Sequence, residues 1–136
     1  DGDGWQITVV SEGENALVSR VVEAFYRQYI DFALQRNNPL VSGAYQVMPY
    51  LSDEVVARID TMIAEGQLFA DPILCAQDIP QDFGLRDAEV VGSRAEVTFI
   101  SLWPRGPNET WEAPGVQVHL TKVDGSWQIS EFVCAP

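Results

Sequence analysis

The stretch GVQVHLTKVDGSWQISEFV, residues 115–133, restricts the fold more than any other part of the chain. Apolar and polar residues alternate on both sides of Asp124-Gly125. Asp-Gly between alternating runs is the signature of a tight two-residue hairpin turn. That turn sets Lys122 opposite Trp127, Leu120 opposite Ile129, Val118 opposite Glu131 and Val116 opposite Val133. One face is then mostly apolar, and the other carries Thr121, Gln128, His119, Ser130, Gln117 and Phe132. AEVVGSRAEVTF (88–99) reads as a second hairpin around Gly92-Ser93. It pairs Val91 with Arg94, Val90 with Ala95 and Ala88 with Val97. Glu89 then faces Glu96, and like charges face each other tolerably only in water, so that face is solvated. PRGPNE (104–109) reads as a loop, which leaves four antiparallel strands.

Upstream the period is helical. Ser11 and Glu14 in SEGE fit a capping box, which predicts a helix from Ser11 to about Arg36. Val18, Val21, Val22, Phe25, Tyr29 and Phe32 are spaced as one apolar face, with a second row through Tyr26, Ile30 and Leu34. Arg20, Glu23, Arg27 and Asp31 form a narrow charged stripe. The helix is therefore expected to be buried around most of its circumference, between a sheet and another helix. NNPLVSG (37–43) has loop composition. Ser52 caps a second helix whose apolar stripe is Leu51, Val55, Ile59, Met62 and Ile63, ended by Gly66. Pro72 and Pro80 make residues 67–84 irregular. The order of helices followed by strands is that of an α+β fold, with helices on one face of a curved four-stranded antiparallel sheet.

A chain of 136 residues with 46% hydrophobic residues makes a single domain, 1–136, with a core of ordinary size. Residues 1–13 are expected to be flexible or extended. The net charge is −12, from 20 acidic against 8 basic residues. That excludes the cationic footprint needed for nucleic acid or an anionic membrane surface. No apolar run is long enough to span a bilayer. The chain opens on DGDGWQ without a methionine, a start expected of an exported protein after leader removal and equally of any trimmed chain.

FYRQYI, NNPLVSGAY, PYLSDEVVARID, DPILCAQDIP and the closing WQISEFVC together resemble the DUF3828 family, over roughly residues 15–135. These are small bacterial domains of unknown function, usually exported or lipid-anchored. The resemblance implies a cystatin-like, or NTF2-like, fold and an extracytoplasmic location: periplasmic, secreted or lipid-anchored. It carries over no catalytic residues.

Cys75 and Cys134 are the two cysteines. In the oxidising compartment that the resemblance, the acidity and the scarcity of lysine suggest, a disulfide between them is favoured. Two separate buried thiols are the alternative. A nucleophilic Cys75 is disfavoured, because Asp71, Asp78 and Asp82 would raise its pKa. No metal site is expected. Two cysteines and His119 have no recognised zinc spacing. Asp1, Asp3 and Glu12 mimic an EF-hand loop, but Trp5 and Gln6 stand where its geometry is strictest. Asp71, Asp78 and Asp82 could supply calcium oxygens from one loop, but aspartates beside prolines usually shape turns.

Tyr29, Asp71, Gln77, Asp78 and His119 are the candidate binding residues. Gln77 and Asp78 equally suit a structural role, pairing loop amides. His119 alternates with Val118 and Leu120 and so points away from the apolar face. No nucleophile–base motif, phosphate loop or cofactor motif is present, and no cofactor is expected. The leading expectation is a non-catalytic binding module of the bacterial cell envelope, a monomer or weak homodimer. Its partner would be a small molecule or an envelope protein, met through Tyr45, Tyr50, Phe83, Trp103 or Trp111. One alternative is a small NTF2-type pocket enzyme using His119 with a carboxylate for proton transfer or dehydration. The other is an immunity or inhibitor-type protein that meets a cationic partner through its acidic surface.

Overall fold

The computed structural model describes the chain except residues 1, 36–37, 67–69, 77, 81, 108, 113–114 and 135–136; of residues 2–12 and 104–106 it describes the backbone alone. Helix α1 spans Gly2–Gln35, a short helix α2 Pro39–Ser42, and α3 Asp53–Ala64. Five strands follow: β1 Asp82–Val91, β2 Arg94–Gly106, β3 Glu109–Glu112, β4 Val116–Val123 and β5 Ser126–Cys134. They form one antiparallel sheet in the order β1-β2-β4-β5, with β3 pairing to the far half of β2. The α+β expectation holds, but the sheet has five strands: β2 runs into the expected 104–109 loop as far as Gly106, and β3 follows that loop.

Helix α1 starts ahead of Ser11, so Ser11 is not its N-cap and residues 2–13 lie in the helix instead of an extended segment. The reason is visible at Glu14. Instead of reaching back to a cap, its carboxylate accepts from Trp127 Nε1 at 3.0 Å and pairs with Lys122 Nζ at 3.4 Å. Next to it, Asn15 Oδ1 accepts from the Val90 amide at 3.1 Å. The two hairpins thus clamp the helix where a start was expected. The predicted Ser52 cap does form, accepting from the Val55 amide. NNPLVSG hides α2, which Asn38 caps, Pro39 opens and Gly43 closes at φ 83°.

α1 lies against the sheet and the short helix α2, and buries Val18, Val22, Phe25, Tyr26, Tyr29 and Ile30. Tyr26 stacks on Phe99 with ring centroids 3.8 Å apart, and Phe83 lies 5.4 Å from Phe99. Ala95, Val97, Val118, Leu120, Trp127 and Ile129 complete the sheet's side of the core. Burying each of the large apolar side chains among these contributes about 1.5–3 kcal/mol. The segment Tyr50–Ser52 runs parallel to β5. Ser52 N donates to Ile129 O at 2.9 Å and Ile129 N to Tyr50 O at 2.8 Å, covering that part of the sheet edge.

Both expected turns form, but each hairpin slips further along. The Gly92-Ser93 hairpin keeps Val91↔Arg94, Val90↔Ala95 and Glu89↔Glu96, then bulges before Arg86, so Ala88 does not pair with Val97. Asp87, at φ 55°, marks the kink. The Asp124-Gly125 hairpin keeps Lys122↔Trp127 and Leu120↔Ile129. A bulge at Ser130 then shifts the register to His119↔Glu131, Val118↔Phe132 and Val116↔Cys134. The expected Val118–Glu131 and Val116–Val133 pairs are therefore corrected. Phe132 turns inward, 5.7 Å from Phe25, while Val133 turns out. One extra residue exchanges the faces of everything beyond it.

Candidate functional site

The candidate residues fall in two separate places. The first is the loop around Cys75. Asp71 is buried among apolar residues, and its carboxylate accepts from the amides of Ile73 at 2.7 Å and Leu74 at 3.1 Å. It also accepts from the Tyr29 hydroxyl. Tyr26 donates to the carbonyl of Ile73 at 2.6 Å. Cys75 N donates to Asp71 O, and Asp71 N to Ala76 O, closing the segment into a tight turn. Burial raises the Asp71 carboxyl above its ordinary range, opposed by the hydrogen bonds from Tyr29, Ile73 and Leu74. Burial, then the charge of Asp71, raises the hydroxyls of Tyr26 and Tyr29. Every donor here has a structural use, so the group is a strut between α1 and the loop.

The Cys75–Cys134 disulfide forms, with Cα atoms 5.5 Å apart across 59 residues of sequence. The bulge at Ser130 makes this possible. It places Cys134 opposite the buried Val116, on the face turned toward the loop. Cys75 is therefore a staple. Asp78 is exposed, and Gln77 lies outside the described residues. Among the described residues no group of three or more His, Cys, Asp or Glu could hold a metal ion, so Asp71, Asp78 and Asp82 do not assemble a calcium site.

His119 lies elsewhere. Val118 and Leu120 are buried in the core, so His119 occupies the sheet face turned away from α1. Tyr29 and Asp71 are on the inner side, so the sheet separates them from His119. Strand alternation is the reason.

On this outer face the pairing sets Glu89, Glu96, His119 and Glu131 in one row across four strands. Two shallow cavities meet there and share Arg94 and His119. One, about 260 Å³, is also lined by Glu89, Val91 and Glu96. The other, about 290 Å³, reaches toward α3 through Glu54 and Arg58. Arg58 pairs with Glu131 at 3.7 Å. Among the described residues Glu54, Glu89 and Glu96 have no ion-pair partner. His119 Nε2 is shielded from solvent and has no hydrogen-bond partner. Below it, Ser130 Oγ donates to the His119 carbonyl and Thr121 Oγ1 to Ser130 Oγ, each at 3.2 Å, which holds the bulge.

The facing glutamates were legible in the sequence, as a solvated face. The contribution of α3 was not, because nothing local relates Arg58 to Glu131. Of the aromatics expected to form an exposed apolar patch or an apolar pocket, Tyr45 and Phe83 are buried, Tyr50 and Trp103 half-buried, and Trp111 is 48% exposed beside Trp103 across the β2–β3 pairing. Tyr45 is occupied with Asp60: burial and this hydrogen bond push its hydroxyl up to about 12, and the same bond lowers the Asp60 carboxyl.

No family model matches the chain, and no curated protein matches it. Among solved structures, it is similar in fold to a chain of the native type VI effector–immunity complex Tae3–Tai3 from Ralstonia pickettii. The TM-score is 0.64 at 21% identity, over 87% of this chain and 94% of that one. The selenomethionine form of the same complex gives a TM-score of 0.58 at 20% identity, over 85% and 97%. The molecule is thus a mixed helix and antiparallel-sheet domain, similar in fold to a chain of an effector–immunity complex.

Proposed function

We propose that this chain is a non-catalytic, immunity-type inhibitor. It binds a protein partner of type VI effector class outside the cytoplasm and recognises it through an acidic surface. The observation that carries this reading is the fold likeness, which spans nearly the whole of both chains. Three features support it. The net charge of −12 suits a cationic protein surface and speeds encounter with one. The Cys75–Cys134 disulfide suits an oxidising compartment. The sheet separates His119 on its outer face from Tyr29 and Asp71 on its inner side. This reading is narrower than a general envelope-binding module, and it replaces the small-molecule partner with a protein.

The test is protection. Cells expressing an effector from the same secretion system in the periplasm should survive when this chain is exported alongside it. The two should elute as one complex that weakens with added salt. If no effector of that system binds and none is neutralised, the reading is wrong.

A further inference from the structure

Resting on the inhibitor reading, we propose that the partner docks on the outer sheet face, with an arginine or lysine side chain seated between Glu89, Glu96 and His119. Four observations converge there. Glu89 and Glu96 are direct partners across β1 and β2, and neither has an ion pair among the described residues. Cross-strand partners hold their Cβ atoms about 5 Å apart, and like charges so placed destabilise the sheet. A cation between them converts that repulsion into attraction. His119 is the next residue in the row, paired with Glu96, and its Nε2 is without a hydrogen-bond partner. That nitrogen is shielded from solvent, so His119 serves as a wall of the cavity and the two carboxylates hold the cation. Val91, 69% exposed at the rim, offers an apolar wall to the methylene stem of such a side chain. Arg94 is the sole cation lining this cavity among the described residues, and it has no ion pair among them. It competes with the partner's cation for the same two carboxylates.

The face owes its free groups to the fold. The core uses the other side of β2 and β4, and Glu131, the last carboxylate of the row, is already engaged by Arg58 from α3. The unsatisfied charge therefore collects at the β1–β2 end of the groove, where a cationic side chain gains two charge-assisted contacts at once.

The experiment uses the full oxidised chain. A hexa-arginine peptide is titrated while the imidazole proton resonances of His119, the sole histidine, are followed by NMR. Saturable shifts at His119 and at the amides of Val91, Arg94 and Glu96 are expected. E89Q/E96Q should weaken binding roughly tenfold, the scale of losing a charge-pair contact, and Arg94→Gln should tighten it. Shifts scattered over the acidic surface without His119, or equal affinity in E89Q/E96Q, overturn the proposal. The same variants are then assayed against the effector that the wild-type chain binds. An effector held equally by wild type and E89Q/E96Q overturns the groove and leaves the inhibitor reading intact. Hexa-arginine saturating the groove while no effector binds supports the groove and removes the inhibitor reading. Melting curves confirm folding, which E89Q/E96Q should not impair, since it removes a repulsion.

Discussion

Asp71 is the polar residue whose loss should be felt most. Its carboxylate satisfies the amides of Ile73 and Leu74 and the hydroxyl of Tyr29, in a site closed to water. Asp71→Ala orphans all three donors. An unsatisfied buried donor costs about 1–3 kcal/mol, so the total is about 3–6 kcal/mol after some gain from not burying a carboxylate. Against a domain stability of about 5–15 kcal/mol, that is a large share. Asp71→Asn keeps an oxygen for the two amides and loses only the second oxygen, which accepts from Tyr29, so about 1–2 kcal/mol is expected. Urea unfolding of the oxidised protein measures both, and Tyr29→Phe closes a double-mutant cycle with a coupling of about 1–2 kcal/mol. The sign of the pH dependence follows from burial, which raises the folded-state Asp71 carboxyl above its ordinary 3.8. A raised carboxyl contributes stability that is complete below the unfolded value and lost as pH rises through the folded one. The deficit of Asp71→Asn relative to wild type should therefore be largest in acid and shrink toward neutrality. Equal effects of alanine and asparagine, or a deficit that grows with pH, would refute the strut.

Removing the disulfide with Cys75→Ser/Cys134→Ser frees a loop spanning 59 residues and should cost about 4 kcal/mol in urea unfolding. A loss below about 1 kcal/mol would mean that the loop is held without it. Glu89→Gln/Glu96→Gln should stabilise the protein by about 0.2–1 kcal/mol, raising the melting temperature by about 1–3 °C at low salt and less at high salt. Gly115→Ala should destabilise it by about 1–3 kcal/mol, because a Cβ there would stand 2.9 Å from the Phe99 carbonyl oxygen and 3.1 Å from Thr98 Cγ2. An unchanged unfolding midpoint would show that β4 can withdraw from β2 freely.

Local chemistry made much of the fold readable. Asp-Gly and Gly-Ser between alternating runs specify tight turns, so the pairing next to each turn follows from backbone conformation alone. Ser52 caps α3 through a contact three residues away. The spacing of Val18, Val22, Phe25 and Tyr29 identifies the buried face of α1 because a helix repeats every 3.6 residues. Long-range geometry decided the rest. The Ser130 bulge, held by hydroxyl contacts with the His119 carbonyl and Thr121, turns Phe132 inward and brings Cys134 to Cys75. Glu14 serves two hairpin side chains more than 100 residues away instead of a helix cap. Asp71 meets Tyr29 across 42 residues, and the outer groove gains Arg58 from a helix with no local relation to β5. Turn and helix preferences act over a few residues of chain and are written where they act. Faces beyond a bulge, buried polar partners and composite surfaces depend on segments meeting in space, and no single stretch of this sequence contains both halves of those contacts.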